Sequence, residues 1–331
     1  MGHKNMTVEE RIRAALRFSS VPITTGFQFQ LLAEGAWHRA YRIALPNAES
    51  LVVRLKKKSA YGEQVPYDAK KWRAEYESVA HFYRVANQCR PGICPTRYHY
   101  QVDPDNSFTM ESDLGETVSI QHLCTEEALD LGQDLGKFYR QLHKQKPELD
   151  GWGELIPKGT QLIGEDLRPL ALILEEENEG TLRSFEMLAA SDLPLNQPQV
   201  EKALEQALSS RRWDRISLVN RDLTPENWMG RGGKLTGIID PVPRLDDGTR
   251  YAAFFYHCYT LLLPAYLNTP RYERHATHWK IDTLNAIAEG FLQGYTNGSE
   301  SLLHSIFLEH LLWLFDEITT HWRILAGDQG C

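Results

Sequence analysis

The apolar positions of the chain follow two periods, and the change between them separates a strand-rich first part from a helix-rich remainder. Alternating runs predict strands at 27–33, 39–45, 51–55, 98–102, 107–111, 216–219 and 235–239. Spacing of three and four residues predicts helices at 7–18, 68–85, 125–144, 166–190 (broken by Gly180), 197–209, 251–263, 281–295 and 301–324. Because short turns at 34–38 and 46–49 join the first three strands, we expect these strands to be antiparallel.

The stretch from Ile216 to Asp240 carries the clearest chemical signal. A β-prone run leads into a polar loop that contains Asp222 and, five residues later, Asn227; a glycine-rich turn and a second β-prone run then end in Asp240. Phosphoryl transfer uses one carboxylate to orient or deprotonate the attacking hydroxyl, and oxygen ligands to hold Mg²⁺ on the nucleotide phosphates. Asp222 suits the first role, and Asn227 and Asp240 suit the second. The alternative is a pair of surface turns, where Asp and Asn are common anyway.

Composition narrows the class of protein. The 331 residues allow two lobes with substantial cores, and the 42% hydrophobic and 24% charged content is ordinary for a globular enzyme. A net charge of -8 gives no electrostatic support for nucleic-acid binding. No apolar run approaches the roughly 20 residues that span a bilayer, so we expect no membrane segment. Five scattered cysteines favour reduced thiols and a cytoplasmic location, although Cys89 and Cys94 could clip a loop or bind metal.

The motif at 216–240 resembles that of the aminoglycoside phosphotransferase and choline kinase group, small-molecule relatives of the protein kinases. In that group the loop usually reads His-Gly-Asp-x-x-x-x-Asn, and the later strand ends in Ile-Asp. The resemblance covers about residues 27–295. It implies an α+β, protein-kinase-like bilobal fold with an N-terminal antiparallel β-sheet lobe and a mainly helical C-terminal lobe. The expected boundaries are 1–111 for the nucleotide-binding lobe, 112–115 for the hinge and 116–331 for the catalytic and acceptor-binding lobe.

The resemblance also implies ATP, with GTP left open, and Mg²⁺ as cofactors. Gly35 is the one glycine in the turn that would cover the phosphates. Arg54 stands where protein kinases have the Lys that holds the α- and β-phosphates, and its guanidinium can bind them in a bidentate manner. Glu75 is the expected ion-pair partner of Arg54, with Glu77 as the second candidate. The run Lys56-Lys57-Lys58 is expected to be solvated.

The hinge is expected around Met110-Glu111-Ser112, before the bend at Gly115. Backbone groups near Glu111 and Ser112 would bind the adenine edge, and Met110 would lie behind it.

The acceptor half leaves more alternatives open. Asn220 and Arg221 replace the usual His and Gly, which puts the acceptor class in doubt. Asp246 or Asp247 matches a downstream Gly-Asp-Pro of the group without its Pro, or simply forms a turn beside Gly248. The acidic run 175–179 is a solvated helix face or a collector of cationic substrate. The aromatic residues of the last helices are expected to be core, and His143 is expected to be structural.

The function expected from the resemblance is an ATP- and Mg²⁺-dependent transfer of phosphate to a hydroxyl of a small molecule, of the aminoglycoside, amino alcohol or antibiotic kind. A peptide-directed kinase is the first rival, which the lack of an activation segment after Asp240 disfavours. A nucleotide-binding pseudokinase is the second, which the set of Asp222, Asn227 and Asp240 disfavours. The acceptor and the oligomeric state stay open.

Overall fold

A β-sheet lobe comes first along the chain and a mainly helical lobe follows it. The computed structural model describes residues 6–23, 27–45, 50–60, 62–159, 161–213, 215–231, 233–267, 269 and 279–327. The turn expected at 46–49 and Gly232 of the turn at 230–233 lie outside the described residues. None of the described helices is long and apolar enough to cross a bilayer.

The first lobe is one five-stranded antiparallel sheet with a helix packed on each side. Its elements are α1 (Val8–Phe18), β1 (Gln28–Glu34), β2 (His38–Ala44), β3 (Ser50–Lys56), the short β4 (Ser59–Ala60) and β5 (Glu63–Gln64), α2 (Ala69–Cys89), β6 (Tyr98–Gln101) and β7 (Phe108–Ser112). The strand order is β1-β2-β3-β7-β6, which places β3 and β7 side by side at the centre. Residues Val52 and Glu111 are paired in this register, as are Arg54 and Thr109.

Local signals fix both helices of this lobe. Thr7 and Glu10 form a capping box that begins α1, and Ile12 and Leu16 bury its apolar face against the sheet. Asp68 caps α2 by accepting hydrogen bonds from the amides of residues 70 and 71. The predicted inner face of α2 is buried, as Trp72, Tyr76, Val79 and Tyr83 show.

The second lobe contains helices α3 to α9 and two small sheets. Its elements are α3 (Thr125–His143), β8 (Trp152–Lys158), β9 (Gln161–Asp166), α4 (Leu170–Ala189), α5 (Gln197–Ser210), β10 (Ile216–Asn220), β11 (Trp228–Arg231), β12 (Lys234–Ile238), β13 (Pro243–Asp247), α6 (Gly248–His257), α7 (Leu263–Tyr266), α8 (Ile281–Thr296) and α9 (Glu300–Leu325). Short 3₁₀ turns cover Ile120–His122 and Pro225–Asn227, and a π-helical turn, Cys258–Leu262, joins α6 to α7.

Helices α3 and α8 pack with their backbones almost in contact. A Cβ atom on Gly132 would lie 2.2 Å from the carbonyl oxygen of Ile287, and one on Gly290 would lie 2.1 Å from that of Leu129. Both glycines are therefore required by the close approach. The pair forms the centre of the large core that also receives α6 and strands β10 and β12.

The second lobe departs from the predicted elements at three places. Residues 152–166, for which no strand was predicted, form the β8–β9 hairpin, which joins the sheet of order β10-β13-β8-β9. Helix α4 continues through Gly180, whose missing Cβ faces only the side chain of Arg183, so one exposed glycine does not break it. The third case is Asp246 and Asp247, which lie in strand β13 and not in a turn; β13 pairs with β10 over its whole length.

Candidate active site

The amide side chain of Asn220 fixes the loop that carries Asp222. Asn220 is completely buried at the end of β10. Its Oδ1 accepts hydrogen bonds from the backbone amides of Asp222 (3.0 Å) and Val242 (2.8 Å), and its Nδ2 donates to Tyr139 Oη (3.3 Å). Because an amide does not titrate near neutral pH, these bonds persist over a wide pH range. The residue that replaces the usual His thus joins the two chain segments on either side of the site.

Asp222 lies in a partly buried position with one carboxylate oxygen already engaged. Its Oδ1 accepts hydrogen bonds from the backbone amide (3.1 Å) and the hydroxyl (2.8 Å) of Thr224. Burial raises the pKa of Asp222, and the nearby charge of Asp240 raises it further, while the hydrogen bonds from Thr224 oppose the shift. A carboxylate oriented through one oxygen can use the other to accept a proton, and a raised pKa makes it a better base.

Asn227 and Asp240 come together across the hairpin of β11 and β12. The backbone amide of Ile239, the residue before Asp240, donates to the carbonyl oxygen of Asn227 at 3.0 Å. Asn227 Nδ2 donates to Thr224 Oγ1 (3.2 Å), which leaves its Oδ1 for another partner. Asp240 adopts a left-handed backbone conformation (φ 48°), a geometry that non-glycine residues adopt mainly at functional sites and turns. Its carboxylate is 45% exposed.

These two side chains fit a magnesium ion that is shared with a nucleotide. Both offer hard oxygen atoms, and Mg²⁺ in such sites takes one or two protein ligands and completes its shell with phosphates and water. Within the described ranges there is no cluster of three or more His, Cys, Asp or Glu residues that could hold a metal by itself. A site that depends on phosphate oxygens agrees with this donor set.

Arg54 joins the central sheet to Asp240, and its expected pairing with Glu75 is wrong. Its Nε donates to Glu111 Oε1 (2.9 Å), and its Nη1 lies 3.7 Å from Asp240 Oδ2. Tyr83 Oη donates to Glu111 Oε2 (3.0 Å) and accepts from the backbone amide of Asp240 (3.1 Å). Glu111 is therefore the acid of Arg54, because β7 lies beside β3 and presents this side chain on the same face.

The ion pair with helix α2 is made by Lys56 instead. Lys56 Nζ contacts both carboxylate oxygens of Glu75, at 2.7 and 2.8 Å, and the lysine side chain is only 4% exposed. The rings of Trp37, Trp72 and Tyr76 surround the ammonium group at 5.3–5.6 Å. The expectation that Lys56 is solvated is thus wrong. The second candidate acid, Glu77, accepts from Tyr100 Oη at 3.0 Å.

The turn between β1 and β2 covers these two cations. Gly35 donates its amide to the carbonyl of His38 (2.9 Å) and accepts from Lys57 Nζ (3.1 Å). His38 Nε2 lies 3.3 Å from Tyr76 Oη, and burial lowers the pKa of His38 to about 3, so the ring is neutral at physiological pH. The His38 ring therefore adds no charge beside Arg54 and Lys56. The charges next to the turn are those of Glu34 and Lys57, which form an ion pair with each other.

Strand β7 carries the residues expected at the hinge. Met110 is completely buried and pairs with Val53 of β3. Glu111 directs its carboxylate inward to Arg54, and the amide of Ser112 already donates to the carbonyl of Arg97 (3.1 Å). The Ser112 amide is therefore not free for an adenine edge, and the amide of Asp113 is also engaged, because it donates to the carbonyl oxygen of Ser50 (3.2 Å). Adenine contact by the backbone of Glu111 stays a prediction.

A family comparison identifies the class of protein. A sequence model described as the phosphotransferase enzyme family matches residues 28–243, which run from the start of β1 through Asp222, Asn227 and Asp240. The chain belongs to this phosphotransferase enzyme family. The comparison with curated proteins finds no match.

Solved structures with the same fold agree with this membership. The aminoglycoside phosphotransferase APH(4)-Ia is 15% identical, with 95% of this chain and 99% of that chain covered and a TM-score of 0.51. The streptomycin–ATP ternary complex of APH(2″)-IIa is also 15% identical, with 97% and 95% covered and a TM-score of 0.52. At this identity the likeness concerns the fold, and it confirms the sheet lobe followed by the helical lobe.

Two residues of the phosphotransferase site, Thr224 and Tyr259, were not foreseen. Tyr259 belongs to the π-helical turn, and its Oη donates to the carbonyl oxygen of Leu223 (2.6 Å) inside the loop of residues 220–227, the expected catalytic loop. Its ring stacks on Trp228, the neighbour of Asn227, at 5.5 Å between centroids. A π-helical turn is uncommon and often occurs at functional sites. The pattern of the sequence has no signal for such a turn, whereas Thr224 lies inside the recognised motif.

The expected acceptor side of the phosphotransferase, around β13 and α6, contains charged side chains that share partners with one another. Glu177 of the acidic run lies 3.4 Å from both Arg211 and Arg250, so it belongs to an internal network and does not face solvent alone. Asp246 is buried and bound by Arg250 at 3.0 Å. Asp247 caps α6 by accepting from the amides of Thr249 (2.8 Å) and Arg250 (3.1 Å). His143 is buried and hydrogen-bonded to Tyr295 Oη, which agrees with a structural role.

Proposed function

We propose that this phosphotransferase transfers the terminal phosphoryl group of ATP, with Mg²⁺, to a hydroxyl group of a small molecule. The observation that supports the proposal most is the meeting of Asp222, Asn227 and Asp240 on two adjoining segments beside Arg54. Hydrogen bonds through Thr224 connect Asp222 to Asn227, and Ile239 connects Asn227 to Asp240. The arrangement brings a carboxylate suited to act as a base and two oxygen ligands suited to a metal into one site.

Asp222 would receive the proton of the acceptor hydroxyl. Its oxygen that does not bind Thr224 is the atom for this role, and its raised pKa suits a base that works near neutral pH. Asn227 Oδ1 and the Asp240 carboxylate would hold Mg²⁺, which when bound neutralises charge that develops on the transferred phosphoryl group. The Asp240 side chain is 45% exposed and is therefore accessible for this role.

Arg54 and Lys56 would hold the phosphates. Both lie on the same face of β3, two residues apart, under the turn that contains Gly35. Each is held by its own acid, Glu111 or Glu75, and Arg54 also lies near Asp240. Positioning by fixed charges contributes much of the rate enhancement in phosphoryl transfer, because such groups need not reorganise during the reaction.

The nucleotide is proposed to be ATP, and ATP is present in the APH(2″)-IIa ternary complex that shares this fold. GTP stays an open alternative to ATP, and the hinge at 112–115 and the lobe limits 1–111 and 116–331 are parts of the same proposal. The hinge region is well braced: Arg42 binds Asp113 at 2.6 Å, and Ser50 Oγ donates to the same carboxylate at 2.7 Å. The free thiols of Cys89, Cys94, Cys124 and Cys258 suit a reducing compartment, and we propose the cytoplasm.

The test is a transfer assay with ATP and Mg²⁺ against pooled aminoglycosides, amino alcohols, hydroxy acids, sugars and nucleosides, in which mass spectrometry detects an added phosphate. The wild type should phosphorylate at least one compound, and Asp222→Asn should not. Asp192→Asn is the matched control, because Asp192 is exposed in the loop between α4 and α5. Equal activity of wild type and Asp222→Asn would remove Asp222 from the mechanism, and a protein that neither binds ATP with Mg²⁺ nor forms a product would contradict the proposal.

A further inference from the structure

Three arginines of the acceptor side converge on a single carboxylate oxygen. Asp246 Oδ2 lies 3.0 Å from Arg250 Nη1, 3.4 Å from Arg244 Nε and 3.9 Å from Arg221 Nη1. The other oxygen, Oδ1, accepts from the backbone amide of Asp247 (2.8 Å) and from Arg250 (3.2 Å). The carboxylate of Asp246 therefore binds mainly Arg250, and it has few acceptor positions left for hydrogen bonds from the other two guanidinium groups.

Among the described residues, the side chains of Arg221 and Arg244 make no hydrogen bonds. Arg244 Nε is buried, and its 3.4 Å contact with Asp246 is an ion pair without hydrogen-bond geometry. The closest carboxylate oxygen to the Arg221 guanidinium, among the residues that the structure describes, is the one at 3.9 Å. The side chains are only 26% and 21% exposed, so water replaces the missing partners incompletely. A guanidinium group in such surroundings is stabilised by an anion.

Other acids of this region are engaged elsewhere. Glu309 is bound by Arg211 at 2.8 Å and also accepts from Trp213 Nε1 at 3.3 Å. Glu177 lies between Arg211 and Arg250. On α9, Glu317 faces His257 (3.7 Å) and His321 (3.2 Å), while the neighbouring Asp316 acts electrostatically on Arg250. No carboxylate of these sets lies within ion-pair distance of Arg221.

The Arg221 guanidinium is also held in a fixed orientation next to the catalytic residue. It lies over the ring of Phe254 at 4.0 Å and near Trp313 at 5.4 Å, and its backbone amide donates to Val242. Asp222 is the next residue. The charges of Arg221 and Asp222 both act on the buried thiol of Cys258, which follows α6. A guanidinium stacked on an aromatic ring leaves its N–H edges free, and those edges match a carboxylate or phosphate.

We propose that Arg221 and Arg244 bind an anionic group of the acceptor, so that the acceptor is a hydroxylated carboxylate or phosphate ester and not a polycation. The inference rests on the proposed function only where it identifies the bound anion as the phosphate acceptor. Binding of an anion by Arg221 and Arg244 does not depend on that function and can be measured without turnover.

The experiment is a calorimetric titration of inorganic phosphate, D-glycerate and spermidine into protein that is saturated with Mg²⁺ and AMP-PNP, at constant ionic strength. The nucleotide analogue blocks the phosphate site around Arg54. The variants are Arg221→Gln and Arg244→Gln, with Arg221→Lys to retain charge without the planar fork. Arg231→Gln is the control, because Arg231 is exposed on β11. Unfolding temperatures identify any variant that does not fold, and the remaining variant of the pair then gives the answer.

We expect phosphate, glycerate or both to bind the wild type and the control, with at least tenfold weaker binding in each Gln variant and an intermediate loss in Arg221→Lys. If only phosphate or only glycerate binds, the result identifies the charged group of the acceptor as a phosphate or a carboxylate. Unchanged binding in both Gln variants, absence of anion binding to the wild type, or tight binding of spermidine would overturn the inference. If AMP-PNP does not bind, the proposed function fails separately. The same titrations on Arg54→Gln protein without nucleotide then still decide about Arg221 and Arg244.

Discussion

On the proposed nucleotide side the two cations of β3 each have a carboxylate of their own, whereas on the proposed acceptor side three arginines share one. On β3, Arg54 is bound to Glu111 and Lys56 to Glu75. Near β13, three arginines share one oxygen of Asp246. Arg54 lies near Asp240, and Arg221 directly precedes Asp222, so both regions border the proposed catalytic site. The side chains of Arg54, Lys56, Arg221 and Arg244 are largely shielded from water. The difference therefore lies in how much charge each region leaves for a ligand.

The contrast between the two regions indicates how the negative charge of each ligand is balanced. A nucleotide arrives with Mg²⁺, and a metal ion offsets most of the phosphate charge, so the protein needs only a few cations that are already held in place. An acceptor arrives alone, and its charge must be balanced by the protein. Unpaired guanidinium donors thus point to an anionic acceptor.

The largest expected effect concerns the residue between the two regions. Asp222→Asn should lower kcat by about 10²–10⁴-fold, because a positioned base is removed, while AMP-PNP affinity stays near that of the wild type. Since the pKa of Asp222 is raised, the activity of the wild type should fall on acidification at a higher pH than for an ordinary aspartate. Steady-state kinetics as a function of pH measure both. A loss of nucleotide affinity equal to the loss of kcat would assign Asp222 to the nucleotide side.

The next effect separates the two ion pairs of β3. Arg54→Gln leaves the buried Glu111 without its cation and should lower the free energy of unfolding by roughly 3–5 kcal/mol. Lys56→Gln should cost about 1–2 kcal/mol, since Glu75 is 40% exposed and can be hydrated. Both should weaken AMP-PNP binding. Urea denaturation and calorimetry give the two quantities.

Lys58→Gln is the control for this pair, because Lys58 is 67% exposed and its nearest acid, Asp105, lies 3.7 Å away. Equal destabilisation by Arg54→Gln and Lys58→Gln would show that the Glu111 contact does not stabilise the sheet.

A smaller effect is expected on the acceptor side at Asp247, whose pKa burial raises to about 7. A raised pKa means that folding favours the protonated acid, so this contribution to stability is present below about pH 4 and is lost as the pH rises through 7. Asp247→Asn keeps a residue that can cap α6 and should make the unfolding free energy less dependent on pH between 4 and 8. Thermal unfolding over this range checks it, with Asp192→Asn as control. An unchanged slope would show that Asp247 is ionised at low pH.

The smallest effect concerns the contact of the π-helical turn with the catalytic loop. Tyr259→Phe removes the hydrogen bond to Leu223 and should cost about 1 kcal/mol. We expect kcat to fall by roughly three- to tenfold with the KM for ATP unchanged, because the loop loses a fixed position while Tyr259 itself is completely buried. Tyr256→Phe is the control, since its ring contacts Phe307 and His310 but its hydroxyl makes no hydrogen bond among the described residues. Equal effects of both changes would contradict a positioning role.

Much of the catalytic loop could be predicted because its chemistry depends on residues close in sequence. Asp222 and Asn227 are five residues apart, and the flanking β-prone runs indicate that both lie beside a short hairpin. The ion pair of α2 could not be predicted in the same way. Residues 54 and 56 lie on the same face of β3, so only the three-dimensional placement of α2 shows that Glu75 reaches Lys56.

Strand β13 shows why the acceptor side was harder to predict. Its sequence Pro-Arg-Leu-Asp-Asp has the composition of a turn, and its two buried aspartates are accommodated in a sheet because Arg250 of α6 binds Asp246 and the first amides of α6 bind Asp247. The β8–β9 hairpin is similar, since several of its residues face solvent and its apolar alternation is weak. In both cases a strand pairs with another strand that is distant in the sequence: β13 with β10, and β8 with β13.

The most direct test of the account is a calorimetric titration of AMP-PNP, with and without Mg²⁺, into wild type, Asp240→Asn and Asp222→Asn. We predict binding that Mg²⁺ strengthens in the wild type and in Asp222→Asn, and binding that has lost most of its Mg²⁺ dependence in Asp240→Asn. Nucleotide binding to the wild type that is indifferent to Mg²⁺, or a Mg²⁺ dependence that survives unchanged in Asp240→Asn, would contradict the proposed roles of the hairpin and its left-handed aspartate.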